Sequence, residues 1–151
     1  MAGMQGLGRV FDVVGAASTN YFSLKNASAV SFIVLSTGAT SLAFTAEPSF
    51  GGTPANWTPA NGFGQTAYFD QNVQSNGTGA WTKQTATWTS NSVALAGTSG
   101  YMSVFCIYAD QLADTYDYVK VAATGSPTYV VAILHDLTVM RTPANLAILG
   151  A

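Results

Sequence analysis

The sequence predicts an all-β fold: a single-domain antiparallel β-sandwich, jelly-roll or Greek-key like, with extended N- and C-terminal arms. Three observations carry that expectation. Short runs of β-branched and aromatic residues recur along the chain, bounded by Gly, Asn, Ser and Thr. Several of these runs alternate apolar and polar positions, as half-buried strands do. No segment has the period of a long amphipathic helix, and only Ala109–Thr115 suits a helical turn. The 151 residues suit one domain, read as an arm over 1–19, a core over 20–140 and a tail over 141–151.

Taken in order, Arg9–Val14 and Tyr21–Lys25 are the first two expected strands. Ala29–Ser36 follows, and its AVSFIVL stretch is apolar at consecutive positions, as in a strand buried on both faces. Thr40–Ala46 alternates, with Leu42 and Phe44 on one face and Ser41, Ala43 and Thr45 on the other. Thr37-Gly38-Ala39 between them reads as a hairpin turn. The proline- and glycine-rich stretch Glu47–Gly64 reads as a long excursion over the surface. Ala67–Gln74, Trp81–Thr89, Ser92–Leu95 and Met102–Tyr108 are the next strands. Tyr116–Ala122, the doubly apolar Tyr129–Leu134 and Leu137–Arg141 complete the set.

Composition narrows the function. Only 8% of residues are charged, against about 25% in an average soluble domain. A folded monomer of this size would expose ~7,300 Å², or roughly one charge per 600 Å². A net charge of −2 lacks the basic footprint that nucleic acid requires. One cysteine and one histidine exclude an internal disulfide framework and an ordinary structural zinc site. No run is apolar for long enough to span a bilayer as a helix, and the N-terminus lacks the pattern of a secretory leader. The expectation is therefore no cofactor, no metal, no nucleic acid and no membrane.

Candidate chemical groups are sparse. His135-Asp136 is the single imidazole–carboxylate neighbourhood, but no G-x-S-x-G nucleophile elbow accompanies it. Consecutive strand residues also diverge to opposite faces, so the pair reads as closing a strand end. Asp110, Asp114 and Asp117 would share a face on a helical turn and suit calcium, without the EF-hand spacing. Leu112–Tyr118, a tyrosine entering a strand, instead suits a tyrosine corner. Trp57, Trp81 and Trp88 raise a carbohydrate platform, yet positions 81 and 88 fall on opposite faces of a regular strand. Cys106 lies in an apolar strand and reads as a buried small hydrophobe. No enzyme site is expected.

The ends are unusual. The N-terminal arm carries Met4, Leu7, Val10 and Phe11, and the tail runs from Arg141 to the apolar Leu146, Ile148 and Leu149. Free ends are normally polar, so these residues, with Trp57 in the long loop, are the candidate assembly contacts.

Tyr116–Val121, Tyr129–Val139 and Arg141–Leu146, with their HDL-x-V-x-R-x-P-x-NL pattern, resemble small β-rich virion structural proteins of tailed bacteriophages. Ala27–Thr45 and Ala46–Gly52 are compatible with the same group, so the likeness touches about half of the chain; Thr53–Gly100 has no counterpart in it. The resemblance implies a non-enzymatic virion protein assembled in the host cytoplasm, in capsid-decoration or tail position. A decoration (cementing) protein would sit as a homo-oligomer, a trimer by preference, on the major capsid protein lattice. A tail-tube or minor tail protein is the alternative, and a carbohydrate or host-surface binding module is a reading from another class.

Overall fold

The computed structural model describes residues 11–15, 21–57, 67–72, 79–96 and 100–136, with the side chains of 11–15, 72, 126 and 128 left aside. Most of it is strand, and the regular structure is almost wholly β. The ten strands are β1 (Phe11–Gly15), β2 (Tyr21–Ser23), β3 (Ala29–Glu47), β4 (Ala55–Asn56), β5 (Ala67–Asn72), β6 (Thr82–Thr85), β7 (Trp88–Thr89), β8 (Ser92–Ala94), β9 (Tyr101–Tyr108) and β10 (Tyr118–His135). A 3-10 turn at Ala109–Gln111 follows β9, where the sequence allows one.

Two long strands organise the molecule. β3 and β10 pair antiparallel along almost their full length, from Tyr118 opposite Glu47 to His135 opposite Ala29. Their register shifts around Gly125 and Pro127, and this irregularity divides each strand into two arms. The arms 29–36 and 127–135 form the middle of one layer, in the order β1-β10-β3-β9-β5-β6. The arms 40–47 and 118–125 form the middle of the other, flanked by β2 on one side and by β4 and β8 on the other.

The strands bend between these layers. Phe32 and Phe44 are twelve positions apart on β3, and a straight strand would separate them by ~40 Å. Their rings instead lie 5.9 Å apart. The sheet is therefore folded on itself, in the manner of strands that pass from one layer of a sandwich to the other at a bulge. Gly125 makes the bend possible: its φ is +93°, and a Cβ there would sit 2.1 Å from the Ala39 carbonyl oxygen.

This arrangement corrects the expected hairpin at Thr37–Ala39. Its two arms do not pair with each other; both pair with β10. The strand bends there without a turn. For the same reason Tyr116–Ala122 and Tyr129–Leu134 merge into one bent strand.

The fold of the sheet encloses the core. Phe44 is central, with ring centroids 5.4 Å from Phe105, 5.5 Å from Trp57 and 5.9 Å from Trp88. Leu42, Val30, Val34, Ile107, Val93 and Val119 fill in around these rings. The even positions of β3 supply this face from end to end, including Leu42 and Phe44 as their alternation requires. The stretch after β3 is not wholly an excursion: Ala55–Asn56 returns to pair with Thr45–Ala46, and Trp57 is completely buried. Residues 58–66 lie outside the described residues.

Candidate interaction surface

The outer face of the β1-β10-β3-β9-β5-β6 layer stands apart chemically. Strand pairing places Phe69, Val104, Ile33 and Val131 in one row across four strands. The adjoining row is Gln71, Met102, Leu35 and Tyr129. On the other side, Cys106, Ser31 and Ile133 form a third row. Most of these side chains are half-buried. Phe69 is 49% exposed and Tyr129 67%. Lys83 of β6, the partner of Phe69, ends the first row; no other described Asp, Glu, Lys or Arg lies in those rows.

Four strands at ~4.8 Å and three rows at ~6.8 Å give the face roughly 400 Å². The largest apolar patch on a monomer spans about 300–600 Å², and patches of that size are often functional. Two such faces together reach ~800 Å², so a contact through this face would need adjoining surface to clear the ~1,000 Å² of a specific protein interface.

One end of the face is polar. His135 Nε2 lies 2.8 Å from Ser31 Oγ, while the Ser28 hydroxyl donates to Asp136 Oδ2 at 2.7 Å. His135 and Asp136 thus diverge to separate serines, as neighbouring residues at a strand end should. Asp136 sits at φ +48°, where the chain leaves β10. Beside Ser31 on the next strand is Cys106, half-exposed and not buried as its apolar neighbourhood suggests. Its charge when ionised, and a hydrogen bond donated to it by the Tyr108 hydroxyl, push Tyr108 above the ordinary tyrosine value. The Ser31–His135 pair lies on fully paired strands, so their backbone N–H groups are engaged in the sheet and unavailable as an oxyanion hole.

The other sequence candidates are placed as follows. Trp57 lies inside the core and offers no surface to a partner. Trp88 packs edge-on against it at 5.7 Å, and Trp81 is exposed, so the three tryptophans form no shared platform. The Trp81–Thr89 strand is broken at Ala86–Thr87, which separates the two environments. Asp110 lies in the 3-10 turn, Asp114 in the loop after it and Asp117 just before β10. Among the described residues no group of three or more His, Cys, Asp or Glu side chains is assembled to hold a metal. Tyr116 packs against the core, its N–H donating to the Ala113 carbonyl at 2.8 Å. Phe11 pairs through its backbone with His135. Met4, Leu7, Val10, Arg141, Leu146, Ile148 and Leu149 lie outside the described residues.

The residues that make up the apolar face were legible only in part. Consecutive apolar positions in Ala29–Leu35 and Tyr129–Leu134 signal strands apolar on both sides, but the sequence does not say which side the described residues leave uncovered. No family model, curated protein or solved structure matches the chain.

Proposed function

We propose that the chain is a non-enzymatic structural protein that works inside an assembly and uses the outer sheet face around Ile33, Val104 and Val131 as a subunit contact. The carrying observation is that face: the middle strands are apolar on both sides, yet described residues cover only one. A stable surface of that kind, on a chain with 8% charged residues, suits a part surrounded by protein. Closed symmetric association would remove the face from water in every copy at once.

The resemblance of Tyr116–Leu146 to tailed-phage virion proteins gives this reading its finer form: a capsid decoration protein, trimeric, cementing the major capsid lattice. The test is light-scattering mass of the purified protein, before and after mixing with particles that lack it. A discrete trimer that co-sediments with shells supports decoration. Stacked rings or tubes would move the protein to the tail. A monomer that ignores particles would overturn the proposal.

A further inference from the structure

The inner face of the first layer is apolar over most of its length, but one corner is not. Asp70 on β5 is 2% exposed, Ser103 on β9 is 1% and Ser36 on β3 is 0%. Asp70 and Ser103 are direct partners across β5 and β9, so their Cβ atoms stand ~5 Å apart. Ser103 pairs with Val34, which places Ser36 diagonally beside it on the same face. Asp70 Oδ1 accepts a hydrogen bond from Gln84 Nε2 at 3.1 Å. Asp70 Oδ2, Ser103 Oγ and Ser36 Oγ are all buried without a hydrogen-bond partner.

Three orphaned oxygens on neighbouring positions of a packed interior are rare, because buried polar atoms are almost always satisfied. The carboxylate makes the problem sharper, since a buried charge with no counter-charge is strongly unfavourable. No described cation answers it. Lys25 and Lys83 are exposed, and Lys120 lies over the Tyr21 ring in the other layer. A water could serve the two hydroxyls but would leave the charge unbalanced. Glu47 Oε2 is also buried and unpartnered, yet no second orphaned oxygen faces it across the strands.

We propose that Asp70 Oδ2, Ser103 Oγ and Ser36 Oγ form a buried site for a monovalent cation of sodium or potassium size. Oxygen-only donors fit a hard cation. A single carboxylate balances one positive charge, whereas a divalent ion would leave a buried excess. The ion would tie β5, β9 and β3 together at the end of the layer farthest from His135.

The test is thermal unfolding of the full chain in sodium, potassium or N-methyl-D-glucamine chloride at constant ionic strength. The melting midpoint should rise saturably with sodium or potassium and stay flat with the bulky organic cation. Asp70→Asn, which keeps the size and an acceptor for Gln84, should abolish the rise. If that variant fails to fold, Ser103→Ala provides the second arm, with half-saturation moved to a concentration about 10-fold higher. Equal midpoints in all three salts, or an undiminished response in either variant, would overturn the site.

Discussion

The two arms of the long strands bury the same kind of face and expose different ones. Inward, Val30, Phe32 and Val34 on one arm of β3 correspond to Leu42, Phe44 and Ala46 on the other, all fully buried. Outward, the first arm shows Ser31, Ile33 and Leu35, set between Met102 and Val104 of β9 and Val131 and Ile133 of β10. The second arm shows Ser41, Ala43 and Thr45, set beside Lys120, Ala122 and Thr124. One strand pair, continuous in its hydrogen bonding apart from a corner, therefore carries a solvent-type outer face on one arm and a core-type outer face on the other. Folding requires only the inner faces. The apolar outer face, which the described residues leave uncovered, is the surface that the proposed subunit contact would use.

The comparison depends first on the two arms being held together, and Phe44 is the side chain that does most of this. Phe44→Ala would remove ring contacts with Phe32, Phe105, Trp57 and Trp88 at once. It should cost ~3–5 kcal/mol, read as a lowered denaturant midpoint with a blue-to-red shift of tryptophan emission at lower denaturant. Retention of wild-type stability would mean the layers are joined elsewhere.

The corner itself comes next. Gly125→Ala places a methyl group against the Ala39 carbonyl at a positive φ, so both strain and collision oppose it. A loss of about 2–3 kcal/mol is expected. Gly51→Ala, at φ +68° but with open space around it, should cost only ~1 kcal/mol. Equal effects at the two glycines would show that the bend tolerates a side chain, and the two-arm description would need revision.

How far this was readable in advance follows from the same corner. Alternation in Thr40–Ala46 and the double apolarity of Ala29–Leu35 identify the strands and their inner residues. Strand periodicity is local, so it assigns faces correctly wherever the chain is regular. The hairpin expectation at Gly38 failed because a turn residue reports a change of direction, not the identity of the pairing partner; that partner, β10, lies some eighty residues later. Trp57 was misplaced for a related reason. Its Pro- and Gly-rich surroundings read as surface, while the two-residue strand that returns it to the core is too short to have a period. The buried oxygens of Asp70, Ser103 and Ser36 left no local signal, because only the pairing of three strands brings them together.

The outer face can be tested without touching the core. Phe69→Ser and Tyr129→Ser alter its two most exposed aromatic side chains and should change monomer stability by less than ~1 kcal/mol. The expected result is loss of oligomer mass in light scattering with unchanged β-sheet circular dichroism. Ala43→Ser on the opposite arm should leave association intact. An oligomer that survives both aromatic changes would place the contact elsewhere and remove the main support for the assembly reading.

The smallest effect concerns pH and distinguishes the inner faces from the outer ones. Tyr68 is stacked on Phe105 at 4.9 Å, and its hydroxyl accepts the Ala96 N–H at 2.6 Å. Burial pushes its ionisation above the ordinary value of 10.0, the Ala96 N–H lowers it in part, and the Asp70 charge raises it further. The folded state therefore holds the phenolic proton more tightly than the unfolded chain does. This contribution is fully present below pH 10 and is lost as pH climbs through the unfolded value toward the folded one. Tyr68→Phe should flatten that alkaline decline while lowering stability near neutrality by ~1 kcal/mol, the worth of the Ala96 hydrogen bond. An alkaline decline that is unchanged in Tyr68→Phe would show that it reports general charging of the surface and not the burial of Tyr68.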